Sequence, residues 1–168
     1  MSGTSAGLTP RGIDLLNSRV SANRAGGNGV GIDLEGGQNG STGNRIANND
    51  ASRNAGAALV IGGGANDNVI LANVSNANQG APGDGGGIVL FAVTGNTVRG
   101  NVANRNRDVG IGVFEDQPGD STGNVLTGNV ANSNRNHGIS AVDGTIDGGG
   151  NIAHGNTPLP NCLGVSCT

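Results

Sequence analysis

The sequence predicts an all-β, parallel β-solenoid of about five to six coils, with three short parallel sheets around a thin aliphatic core and asparagine ladders at the corners. Three observations predict it. Gly accounts for 34 of 168 residues and Asn for 25, so about a third of the chain tolerates tight turns. Asn44, Asn68, Asn96, Asn124 and Asn151 recur at intervals of 24, 28, 28 and 27 residues. Between them the apolar residues fall in very short runs bounded by turn residues, the pattern of brief strands and not of helices.

Composition sets the outer limits. Leu, Ile, Val and Phe together make 37 residues, with two Phe and no Trp or Tyr, which excludes a globule with a thick aromatic core. Small apolar residues still form a core when stacked regularly. At 168 residues the chain is one structural unit. All nine basic residues are Arg, against twelve acidic ones, for a formal net charge of −3. That balance argues against a nucleic-acid-binding surface. No run of 18 apolar residues spans a membrane. Met1-Ser2-Gly3 opens no basic-then-apolar signal sequence.

The repeat assigns each element in turn. Five residues after each Asn of the first column stands a second one: Asn49, Asn73, Asn101, Asn129 and Asn156. A third set follows five further on: Asn54, Asn78, Asn106 and Asn134. Between the first two columns lie Ile46, Ile70, Val98, Leu126 and, last, Ala153, which predict one strand. After the second column come Val74, Val102 and Val130, which predict another. Beyond the third column the pairs Leu59/Ile61, Ile88/Leu90, Ile111/Val113 and Ile139/Ala141 predict the third strand, its paired residues inward and the spacers outward. Gly31-Ile32-Asp33-Leu34 fits an earlier, less regular coil, and Gly12-Ile13-Asp14-Leu15 one earlier still. Such strands bury a face only by stacking coil on coil. Asn suits the left-handed or bridge conformations of the corners, and its amide can bond to the Asn one coil away.

Stretches such as Gly95-Asn96-Thr97-Val98-Arg99-Gly100-Asn101-Val102 and Gly123-Asn124-Val125-Leu126-Thr127-Gly128-Asn129-Val130 resemble the right-handed parallel β-helix proteins with pectate-lyase-like repeats, the group of carbohydrate-binding proteins and sugar hydrolases. The resemblance covers roughly residues 17–156. It implies a right-handed coil, and a function among lyases, hydrolases, epimerases and non-enzymatic modules.

Outside the repeats, residues 1–16 read as a partial N-terminal coil or ragged cap, as though the chain were part of a longer solenoid, and residues 157–168 read as a C-terminal cap. Pro158 and Pro160 cannot donate to a further ladder. Cys162 and Cys167 can close a small disulfide loop, the other reading being two reduced thiols. A bridge would place the protein outside the cell or in the periplasm, its signal sequence absent from this chain. Extra residues at about 35–43, 79–87 and 115–123 predict loops leaving the rod; the Gly cluster at 82–87 has no Lys and no strand-to-helix context, and so is no phosphate loop.

The repeat register also places the chemistry. Four residues past Ile111 is Glu115 and four past Ile139 is Asp143; Asp120 and Asp147 form a second pair with Asp116 between them. Five carboxylates at one edge predict either a solvated acidic loop, a Ca²⁺ site, or paired acid and base groups. Phe91 and Phe114, each three past an inward Ile, should stack in one column continued by Val142, as a sugar platform or as packing beneath the loops. Arg107 and Arg135 are 28 apart and should stack beside Arg105 and His137, as a site for an anionic sugar or as a solvated polar face with Asp108. Arg99, Thr127 and His154 form a further outward column. The leading expectation is a non-catalytic extracellular or periplasmic module, structural, self-assembling through its ends, or polysaccharide-binding, with calcium as the one cofactor to consider. The alternative is a fragment of a calcium-dependent polysaccharide lyase, hydrolase or epimerase.

Overall fold

The computed structural model describes residues 16–36, 40–81 and 86–168, together with the backbone of residues 6–8. Segments 12–15 and 82–85, both given a place above, lie outside the described residues. In chain order the strands are β1 (Ala6–Leu8), β2 (Arg19–Ser21), β3 (Val30–Glu35), β4 (Arg45–Ala47), β5 (Leu59–Gly62), β6 (Val69–Leu71), β7 (Ile88–Phe91), β8 (Thr97–Arg99), β9 (Ile111–Phe114), β10 (Val125–Thr127), β11 (Ile139–Ala141), β12 (Ile146–Asp147) and β13 (Cys162–Leu163). They alternate between two parallel sheets. Odd-numbered strands form a seven-stranded sheet and even-numbered strands a six-stranded one. The third face is a column of single parallel bridges, Arg24–Asp50–Val74–Val102–Val130–Ile152.

Each sheet sends every other residue inward. Ile32, Leu34, Leu59, Ile61, Ile88, Leu90, Ile111 and Val113 fill the core from one side, and Ile46, Ile70, Val98 and Leu126 from the other, all essentially inaccessible. On the third face the inward row is Ala51, Ser75, Ala103 and Ala131. Val74, Val102 and Val130 are half-exposed, and the smaller residue after each takes the interior. The interior of that face is filled by the smallest side chains, Ala and Ser.

The asparagine ladders carry the corners. Asn73 shows the unit: its N–H and its Nδ2 both donate to Asn101 Oδ1 at 2.9 and 3.0 Å, and Nδ2 also donates to Ile46 O at 2.9 Å. Its own Oδ1 accepts the N–H and Nδ2 of Asn49. Every polar atom of a fully buried side chain is thus satisfied, which is the condition for burying it at all. The left-handed corner residue is the one before the ladder Asn, not the Asn itself: Arg53, Ala77, Arg105 and Ser133 have φ between 57 and 62°.

The last coil departs from the expected register. Asn151 stacks on Asn129 and Asn156 on Asn134, not on Asn124 and Asn129. The fifth member of the column Ile46, Ile70, Val98, Leu126 is consequently Asp147, and Ala153 belongs to the buried Ala row. The end segment, the C-terminal cap, stacks directly on the last coil. Cys162–Leu163 pairs with Ile139–Ser140, Asn161 Oδ1 accepts Asn156 Nδ2 at 3.1 Å as a last rung, and Cys162 and Cys167 form a disulfide. At the other end Ala6–Leu8 pairs with the strand that holds Ile32.

Candidate functional site

Two surfaces bring chemistry together. The first is the edge of the odd-numbered sheet, where Phe91 and Phe114 are register partners at the ends of β7 and β9, as expected. Phe91 is 44% exposed. Phe114 is half-buried because its ring folds back over Gly112, where any Cβ would overlap it. Ser121 Oγ donates to Phe114 O at 2.6 Å and accepts Val93 N–H at 3.3 Å, tying the following loop back to the rod.

Two of the three carboxylates of that loop, Glu115 and Asp120, are engaged by the loop's own N–H groups. Asp120 Oδ2 accepts the N–H groups of Asp116 at 3.2 Å and Gln117 at 2.9 Å, and Glu115 Oε2 accepts Gly119 N–H at 2.9 Å. Asp147 lies in β12, a different row from Asp120, and its two oxygens accept Gly149 and Ser166 N–H groups, each at 2.9 Å. Those bonds, Ser166 first and then Gly149, hold its carboxyl below the usual carboxylate value. Asp143 is exposed in a tight turn closed by Thr145 N–H to Val142 O, so the strand register that would stack it on Glu115 ends at Ala141. Among the described residues no three His, Cys, Asp or Glu side chains are grouped so as to hold a metal ion. The structure thus keeps Glu115, Asp116 and Asp120 in one loop, with Asp143 in a separate turn and Asp147 in β12, because the span from Ile139 to Asp147 is seven residues shorter than the register-matched span from Ile111 to Leu126.

The second surface is the third face. Arg107 and Arg135 do occupy one row on consecutive coils, their N–H groups donating to Asn78 O and Asn106 O. His137 is not beside them functionally: its Nδ1 donates to Pro160 O at 2.7 Å in the cap. Asp108 is buried and accepts Asn136 Nδ2 at 2.8 Å. His154 follows Asn132 and not Thr127, another consequence of the shifted register, while Arg99 and Thr127 pair as expected.

This face also holds residues that the sequence reading passed over. Asn104 N–H donates to Asn76 Oδ1, Asn132 N–H to Asn104 Oδ1 and His154 N–H to Asn132 Oδ1, each at 2.7 Å. Ser52 Oγ starts the row by accepting Asn76 N–H at 3.1 Å. It is a second, outward asparagine ladder, bordering a groove of about 520 Å³. Its sequence signal was available in the Asn-x-Asn triplets 76–78, 104–106 and 132–134, where the first Asn faces out and the second faces in.

A model of the right-handed beta helix region matches residues 6–167. The chain belongs to that family. Among solved structures, this β-helix is similar to a single-substitution variant of the periplasmic alginate epimerase AlgG, at 20% identity and a TM-score of 0.69, over 89% of this chain and 39% of that one. A doubly substituted AlgG gives 19% identity and a TM-score of 0.63 over the same shares. AlgG without those substitutions gives 17% and 0.61 over 88% of this chain and 36% of its own. The β-helix thus spans under two-fifths of the length of these neighbours. At such identities the likeness is one of fold. No curated protein matches the chain. Among the described residues no helix is long and apolar enough to cross a membrane.

Proposed function

We propose that this β-helix is a non-catalytic, extracytoplasmic module that binds polysaccharide. The observation that carries the reading is the Phe91–Phe114 pair, two aromatic side chains in register on neighbouring coils at one sheet edge, the first of them 44% exposed. Sugar rings stack on such faces, and the coil spacing of about 4.8 Å is comparable with the length of one sugar residue. The disulfide supports an oxidising compartment. The carboxylates engaged by turn N–H groups support binding without turnover.

Titration calorimetry against a panel of soluble plant, bacterial and algal polysaccharides tests it. Binding that Phe91→Ala weakens by about tenfold, with thermal stability retained, supports the module. Lack of binding to every glycan removes it. A second reading, a fragment of a lyase, hydrolase or epimerase, is favoured by the fold shared with alginate epimerase structures. Its signature is a change in alginate or pectate under incubation, seen as unsaturated ends, new reducing ends or altered C5 configuration, and lost in Asp143→Ala.

A further inference from the structure

We infer that the third face of the rod is a separate groove for an acidic polysaccharide, gripped by a row of asparagine amide donors flanked by arginines. It lies on the face formed by the bridge column and not on the sheet that carries Phe91, so it stands or falls independently of the aromatic edge.

The hydrogen-bond polarity of the outward ladder makes the argument. Each carboxamide oxygen of Asn76, Asn104 and Asn132 is consumed by the backbone N–H of the next coil. That bond fixes the amide plane and leaves Nδ2, on three consecutive coils, without a partner among the described residues. The side chains are half-exposed, so the free polar group of each of these three Asn is an N–H donor, while the one unengaged carboxylate oxygen of the lining, Asp50 Oδ1, is buried at the Arg24 end. Donors held in place before binding lose little entropy on ligand capture.

Charge points the same way. The groove of about 520 Å³ runs into a second one of about 460 Å³ along the same face, sharing Asp50, Ser52 and Arg53. Arg24, Arg53 and Arg105 line the pair, against one carboxylate, Asp50, which sits 4.0 Å from Arg24 Nε at one end. Arg107 and Arg135 stand on the adjacent exposed row. Five of the nine arginines of a chain with net charge −3 therefore border one face. A neutral sugar offers hydroxyls that need acceptors as well as donors; a carboxylate needs donors alone, and guanidinium takes it bidentately. Donors repeating at the coil spacing of about 4.8 Å suit a ligand with one acidic sugar per step, lying along the rod axis.

The test compares a polyuronate with its fully methyl-esterified form and with a single-stranded oligonucleotide, by titration calorimetry at low and at physiological salt. Two variants dissect the groove. Asn104→Asp keeps the oxygen that accepts Asn132 N–H while turning the groove-facing donor into an anion. Arg105→Gly removes a guanidinium at a φ of 57°, which glycine adopts without cost. Arg99→Gln, an equal charge change on the even-numbered sheet, is the control. Expected are binding of the polyuronate alone, weakening with salt, and losses of about tenfold in each groove variant with the melting temperature held. Equal binding of the esterified polymer or the oligonucleotide overturns the acidic-glycan assignment. Polyuronate binding undiminished in both variants puts the polymer elsewhere and overturns the groove, while leaving glycan recognition at the aromatic edge standing.

Discussion

Asn129 and Asn151 form one rung: Asn151 Oδ1 accepts both the N–H and the Nδ2 of Asn129 at 3.1 Å, although only 22 residues separate them. Asn101 reaches the same kind of rung on Asn129 across 28 residues. The fold keeps the rung and lets the contour length vary, because a buried carboxamide without its partners costs more than a shortened loop.

Asn101→Ala should therefore be costly. It strips the acceptor from Asn73 N–H and Nδ2 and the donor from Ile70 O, all in the interior. A loss of about 2–4 kcal/mol is expected in urea unfolding, and a change within experimental error would show that water replaces the rung.

Ser75→Ala should act in the opposite direction. Ser75 sits in the buried Ala row and its Oγ has no hydrogen-bond partner. Removing a desolvated hydroxyl where neighbouring coils carry Ala is expected to stabilise by about 1 kcal/mol, read as a higher urea midpoint at unchanged slope.

Gly112→Ala should push the Phe114 ring off the sheet, since a Cβ at 112 overlaps that ring. We expect a cost of about 1–3 kcal/mol. In a double-mutant cycle Phe114→Ala should relieve most of the penalty of Gly112→Ala; strictly additive losses would place the strain elsewhere.

Asp147 should couple the cap to acid. Its folded carboxyl is held below the ordinary value by the Ser166 and Gly149 N–H groups, so the folded state binds fewer protons than the unfolded one. The stabilisation is present above the unfolded value of about 4 and is lost as pH falls through the folded one. Amide exchange at Ser166 should accelerate over that window, and Asp147→Asn should abolish the pH dependence.

Calcium and EDTA should give the same melting temperature, because the carboxylates of Glu115, Asp120 and Asp147 are engaged by backbone N–H groups and among the described residues no three such side chains are grouped. A calcium-dependent rise would mean that the loop rearranges around the ion.

The ladders, the two sheets and the Phe91–Phe114 partnership were legible in the sequence because each rests on a residue type with few other uses at that spacing. The last register was not. One more residue lies between Asp147 and Asn151 than between Leu126 and Asn129, a bulge at Gly148–Gly149 whose carbonyls accept Thr127 Oγ1. Counting from Asn to Asn slides five residues there, and with it went the placing of Ala153 and His154. The groove was missed for another reason. Asn76, Asn104 and Asn132 belong to the same residue type as the inward ladder, and composition cannot separate an Asn that faces out from one that faces in.

The distance from the second corner to the third is five residues in every coil, from Asn49–Asn54 through Asn151–Asn156. From the third corner to the next first it is 14 residues after Asn54 but 18 after Asn78 and Asn106. One flank of the rod is thus held at constant length, each of its residues bonded to the coils above and below, while the other accepts insertions. Mutation can rewrite the loops beside Phe91 without changing the pitch, whereas the flank bearing Asn104 can gain length only by duplication of a whole coil, each copy adding one identical step.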